Sequence, residues 1–151
     1  MININTFKYL SNQKKRDAAT LLSNQRNSRA IYLMGYALEF ALKRKVSQTL
    51  GFHQGFPEKS IEFSIYFTQI NGFNSLSTGI ELTNLHQIKN HNLSQLLIYS
   101  GAEIRIKASY NTEWLVVKDW DPEDRYKVKK YSKRKAKTFV RSANKILAQI
   151  M

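Results

Sequence analysis

The chain has 151 residues, no cysteine and a formal net charge of +13, with 24 Lys and Arg against 11 Asp and Glu. Its length suits one domain with a real core, so residues 1–151 read as a single domain. The missing cysteine excludes disulfides, thiolate catalysis and zinc sites of the cysteine type, and no apolar stretch is long enough to predict a membrane span.

Residues 1–5 read as a loose start. Residues 7–24 suit a helix, with Leu10, Ala18, Leu21 and Leu22 on an apolar stripe and Lys14, Lys15 and Arg16 outside it. A longer helix follows from about Asn27, capped by Asn27 or Ser28, and runs to about Leu50, where Gly51 is a stop signal. Its middle is the most informative stretch of the chain. Ala30, Met34, Ala37, Leu38 and Ala41 recur at helical spacing, and Ile31, Leu33, Tyr36 and Leu42 extend the apolar face nearly all round. Such a helix belongs at the centre of a bundle. Gly35 costs it about 1 kcal/mol against alanine, which a close approach by a neighbour would offset. Glu39 is expensive there unless a partner satisfies it.

Gly55-Phe56-Pro57 ends helical character. Ile61, Phe63, Ile65 and Phe67 then alternate with polar residues, the period of a half-buried strand, and Asn71-Gly72 is a turn signal before a second strand near residues 79–83. Residues 60–83 therefore predict an inserted β-hairpin or flap, with an irregular aromatic loop as the alternative. Helices resume with Leu93, Leu96, Leu97 and Tyr99, capped by Asn90 or Asn92 and stopped by Gly101. Thr112 opens another, ending near Trp120. Asp121-Pro122 fits an N-cap followed by proline at the first helical position. The last helix is expected over residues 128–150, with Ala136, Phe139, Val140, Ala143, Ile146, Leu147 and Ile150 on one face.

Tyr32, Gly35, Tyr36, Ala37, Glu39 and Lys43 stand in an order that resembles a motif of the HEPN family. His91-Asn92-Leu93 followed by Leu96 is similar to that family's histidine-aspartate-leucine helix start, with asparagine for aspartate. Trp120 to Tyr126 resembles its tryptophan-to-arginine-tyrosine corner, and Ala136, Phe139, Ala143 and Leu147 its closing helix. The resemblance covers most of the chain except about residues 52–85. It implies a mainly α, up-and-down bundle of four to five helices, a homodimer, and work beside a nucleotidyltransferase partner or in a defence or toxin–antitoxin system.

Phosphate loops, dinucleotide fingerprints, His-Glu-x-x-His and a serine-hydrolase elbow are all absent. His53, His86 and His91 lack metal-ligand spacing, so neither a metal nor a cofactor is expected. With no secretory leader pattern at the N-terminus, the expected location is cytoplasmic. Many HEPN proteins are ribonucleases with an arginine four to six residues before a histidine near the last helix; this chain has no such pair. The reading therefore leans away from an enzyme, with an endoribonuclease as the enzymatic alternative. Its catalytic candidates are His91, Arg125 and Glu39. His91 reads either as a proton carrier or phosphate ligand, or as a capping and packing residue. Arg125 reads either as a phosphate clamp or as a partner of Glu39 or Asp121 that locks the corner.

The densest basic run comprises Lys127, Lys129, Lys130, Lys133, Arg134, Lys135, Lys137, Arg141 and Lys145, interleaved with Tyr126 and Tyr131. Cations beside aromatics suit phosphate contact plus base stacking. Lys127, Lys129, Lys130, Lys133, Arg134, Lys137, Arg141, Tyr126 and Tyr131 are the candidate nucleic-acid-binding residues. The same run also serves a solubility role, or a non-enzymatic adaptor that meets an acidic protein. The expected function is a nucleotide- or RNA-binding helical module.

Overall fold

The computed structural model describes residues 1–69 and 81–151, with side chains in the third helix described as far as Tyr66. The chain is mainly α, as its periodicities predict. Seven α-helices occur among the described residues: α1 Ile4–Ser23, α2 Asn27–Thr49, α3 Ser60–Gln69, α4 Leu93–Tyr99, α5 Glu103–Ser109, α6 Asn111–Val117 and α7 Lys133–Ile150. Short 3-10 helices at Leu85–Gln87 and Pro122–Tyr126 turn corners between them. One apolar core draws on α1 to α7. None of the described helices is long and apolar enough to cross a membrane.

Helix α2 is the axis. It packs against α1, α4, α7 and the Pro122–Tyr126 turn. Ala30, Met34, Ala37, Leu38, Ala41, Leu42 and Val46 are wholly buried along it. Each large side chain removed from water there contributes about 1.5–3 kcal/mol. Gly51 stops the helix with a left-handed φ of 71°. The start differs from expectation. Arg26 occupies the cap position without a side-chain bond, while Asn27 Nδ2 and Ser28 Oγ donate to the carbonyls of Tyr131 and Lys129. Those two residues fasten a distant segment instead of capping their own helix.

The strand expected over residues 61–68 is helical. Phe63 and Tyr66 are buried at i, i+3, while Ile61 and Ile65 are exposed. Tyr66 packs on Phe52 at 4.7 Å, and its hydroxyl bonds the backbone of Gln54 and Gly55. Two aromatics on one helical face thus override the period-two alternation. Glu62 adds to this by accepting from the backbone N–H of Glu58 and Lys59, which caps the helix start. The Asn71-Gly72 turn and residues 79–80 of the expected second strand lie outside the described residues; residues 81–83 form no strand beyond a single bridge position at Leu82.

Asn92 caps α4 by accepting from Gln95, and Asp121 caps the Pro122–Tyr126 turn by accepting from Glu123. The last helix begins at Lys133, not at Val128, because Ser132 accepts from Lys135 and sets the cap there. Residues 127–131 form a non-helical arm, so Lys127, Lys129 and Lys130 sit on the arm and not on the helix. All seven apolar residues expected on the inner face of α7 are buried. Helix α5 is an addition, buried only through Ile106.

Gly35 is explained by Trp120. A Cβ built on Gly35 would lie 2.0 Å from Cε2 of the Trp120 ring, which rests on the bare helix backbone. Alanine gains helix propensity of about 1 kcal/mol, but here it forces the indole away. Gly35→Leu is expected to lower stability by about 1–3 kcal/mol through overpacking. A melting temperature at or above that of the parent would overturn this account.

Candidate nucleic-acid interface

The indole on Gly35 organises one end of the bundle. Trp120 meets Tyr36 edge-to-face at 5.0 Å, and Tyr36 meets Tyr32 the same way at 5.1 Å. Tyr32 and Tyr36 are one helical turn apart, so α2 presents both rings on one face. Arg125, from the Pro122–Tyr126 turn, donates to the Tyr32 hydroxyl at 3.0 Å and lies 4.5 Å from the Tyr126 ring centroid. Burial, and then the bond to Tyr32, push the Tyr36 hydroxyl above the usual phenol range. The bond from Tyr36, with the Arg125 guanidinium alongside, holds Tyr32 below it. Arg125 therefore bonds tyrosine hydroxyls, and neither Glu39 nor Asp121 is its partner.

Glu39 is 1% exposed. Its Oε1 accepts from Lys43 Nζ at 2.5 Å and its Oε2 faces His91 Nδ1 at 2.8 Å. The lysine one turn along and the histidine from the start of α4 together occupy both oxygens. A carboxylate buried in this way needs charged or donating partners to offset its lost hydration. With the Nδ1 proton on the Glu39 side, the Nε2 atom of His91 carries the free lone pair. The His91 side chain is 55% exposed. His91 and Arg125 do not meet. Tyr32 and Tyr36 stand between them, with the Tyr36 and His91 rings 6.1 Å apart. No cluster of three or more His, Cys, Asp or Glu suits a metal among the described residues.

Beside the Trp120 corner lies a pocket of about 500 Å³. Leu21, Ile31 and Leu33 line it with Trp120, Tyr32 and Tyr131, and Arg29, Arg125, Lys127 and Lys129 bring positive charge. Two carboxylates also line it. Asp124 is claimed by Lys127 at 2.8 Å and approached by Lys129 at 3.5 Å. Lys127, with Lys129 beyond it, holds that carboxyl below the usual carboxylate range. The arm of residues 127–131 is thus pinned at its start by Asp124 and along its length by Asn27 and Ser28.

The basic run continues from the pocket rim onto α7. Lys130, Lys133, Arg134, Lys137 and Arg141 are exposed and have no carboxylate partner among the described residues. Lys133, Lys137 and Arg141 follow one another at i+4, about 6 Å apart along the axis. Lys145 is committed to Glu113 at 2.6 Å, and Lys135 lies 4.7 Å from the Tyr131 ring centroid. From Arg125 onward the chain contains no Asp or Glu. Tyr126 is 69% exposed, and Tyr131 is half-buried in the pocket wall.

No family model matches this chain, and neither does a curated protein or a solved structure. The geometry therefore stands by itself. It brings the arm, Tyr131 and Arg125 together around one pocket, while His91, held on Glu39, lines a separate cavity with Lys118, Trp120 and Asp121. Arg29, Ser28 and Tyr32 were not anticipated as pocket residues. Tyr32 carried a signal, its one-turn spacing from Tyr36 on a helix otherwise committed to the core; Arg29 carried none.

Proposed function

We propose that this protein is a nucleotide- or RNA-binding helical module of the HEPN type. The observation that carries the reading is the set of exposed cations from Lys130 to Arg141 without a carboxylate partner among the described residues, which follows in the chain on the arm that lines an aromatic-walled pocket. Phosphates meet the cations, and bases stack on Tyr126, Tyr131 and the pocket wall. The bound strand needs no metal, since Lys and Arg neutralise its phosphates. The HEPN resemblance adds a homodimer, a cytoplasmic setting, a nucleotidyltransferase partner and a defence or toxin–antitoxin role to the same reading. Single-stranded RNA labelled with a fluorophore, titrated by anisotropy at rising salt, tests it. Binding is expected at low salt and is expected to fall steeply as salt rises, because neutralised phosphates release condensed counterions. An affinity indifferent to salt would remove the reading.

The Glu39–His91 contact favours a second reading, a metal-independent ribonuclease. An imidazole oriented by a carboxylate can take a proton from a hydroxyl. Arg125 is held away from it by two tyrosines, and Lys118, which lines the same cavity as His91, is committed to Asp119. Total RNA is accordingly expected to survive incubation with the protein. Cleavage that disappears in both His91→Ala and Arg125→Ala would replace the binding module with an enzyme.

A further inference from the structure

The pocket beside Trp120 contains one group that phosphate binding does not explain. Asp121 lines the cavity and is exposed, and it has no ion-pair partner among the described residues. Asp124 differs, because Lys127 and Lys129 neutralise it. Asp121 Oδ1 accepts one hydrogen bond, from the Glu123 N–H at 2.9 Å, and a carboxylate has about four acceptor sites. The capping bond also holds the side chain in one orientation. A free carboxylate repels phosphate, so in a cationic, aromatic pocket its natural partner is a ring that donates N–H.

The nucleobases differ sharply in this respect. Guanine presents two adjacent donors, N1–H and the N2 amino group, which match the two oxygens of a carboxylate. Adenine and cytosine place an acceptor nitrogen beside their amino group, and that lone pair would face the carboxylate. Uracil offers one N–H between two carbonyls. The remaining chemistry of the cavity suits a nucleotide of any base: Trp120 and Tyr131 for the ring, and Arg29, exposed and without a carboxylate partner, for the phosphate.

We propose that this pocket is a guanine-nucleotide site in which Asp121 reads the N1–H and N2–H edge of the base. The proposal rests on the nucleic-acid reading above and deepens it. The ligand is a guanosine phosphate, supplied either as a free nucleotide or as a guanosine within single-stranded RNA.

Calorimetric titration with GMP, AMP, CMP, UMP and IMP tests it. GMP is expected to bind on the order of tenfold tighter than the other three standard nucleotides, the size of one good bidentate pair. IMP, which lacks the N2 amino group, is expected to fall between. Asp121→Asn is expected to level the preference for GMP; asparagine caps the same turn, so the melting temperature should hold. Equal affinity for the four nucleotides, IMP equal to GMP, or a GMP preference that survives Asp121→Asn would each overturn the proposal. The IMP comparison uses the unaltered protein and so decides even if the variant misfolds. An oligouridine carrying one guanosine, compared with plain oligouridine, identifies the source: tighter binding of the first assigns the site to RNA, and binding of GMP with no such difference assigns it to the free nucleotide. Salt-sensitive RNA binding with no bound nucleotide and no effect of the guanosine overturns the guanine site alone, whereas loss of all binding overturns the nucleic-acid reading itself.

Discussion

Glu39→Ala is expected to destabilise the protein by about 3–5 kcal/mol, the usual loss when one member of a buried ion pair is removed. Glu39 is 1% exposed and Lys43 9% exposed, so the variant leaves an ammonium in the core without its counter-charge. His91 loses its partner too, but its half-exposed ring can turn to water. The three positions are therefore unequal. His91→Ala should cost much less than Glu39→Ala, because Glu39 keeps Lys43. Glu39→Ala combined with Lys43→Met should regain most of the loss, since the pair is replaced by apolar volume. Urea unfolding of the single and double variants measures all of this. A His91→Ala loss as large as that of Glu39→Ala would show that the histidine contact, and not the lysine, supports the buried carboxylate.

Replacing Lys130, Lys133, Arg134 and Lys137 together by glutamine is expected to flatten the salt dependence of RNA binding. Each phosphate contact on a single strand contributes about 0.7 to the log–log slope. Loss of all these contacts should then reduce the slope by nearly three units, on the order of a thousandfold in affinity per decade of salt. The fold should survive, because each of these side chains is exposed and none has a carboxylate partner among the described residues. Lys127, Lys129 and Lys145 are better left in place. They are engaged by Asp124 and Glu113, and their removal would mix binding with anchoring of the arm. An unchanged slope in the quadruple variant would leave the run as a solubility feature.

The long elements were legible in the sequence because burial imposes a period. Helix α2 is apolar nearly all round and lies at the centre, and α7 buries each residue that its stripe nominated. Local punctuation was legible as well: Gly51, Gly101, Asn92, Asp121 and Pro122 act where their backbone and side-chain chemistry requires. Gly35 announced a close approach, though not by what. Residues 60–69 were misread because Phe63 and Tyr66 satisfy i, i+3 while the surrounding alternation satisfies period two. Only the waiting surface of Phe52, Gln54 and Gly55 chooses between these patterns.

The site depended on tertiary structure to a greater degree. Composition alone established a basic protein, and the order of residues after Arg125 placed that charge in one run without a carboxylate. Which cations are free could not be read there, because Asp124 and Glu113 remove Lys127, Lys129 and Lys145 through contacts set by folding. The pocket joins Arg29 and Tyr32 of α2 to Trp120 and to the arm that Asn27 and Ser28 hold. Partners of Glu39 and Arg125 were likewise decided by packing: the indole on Gly35 sets the corner, the corner delivers Arg125 to Tyr32, and α4 delivers His91 to Glu39. A sequence records which groups need partners. Only three-dimensional proximity supplies them, because hydrogen bonds and ion pairs act over a few ångströms while their members lie tens of residues apart.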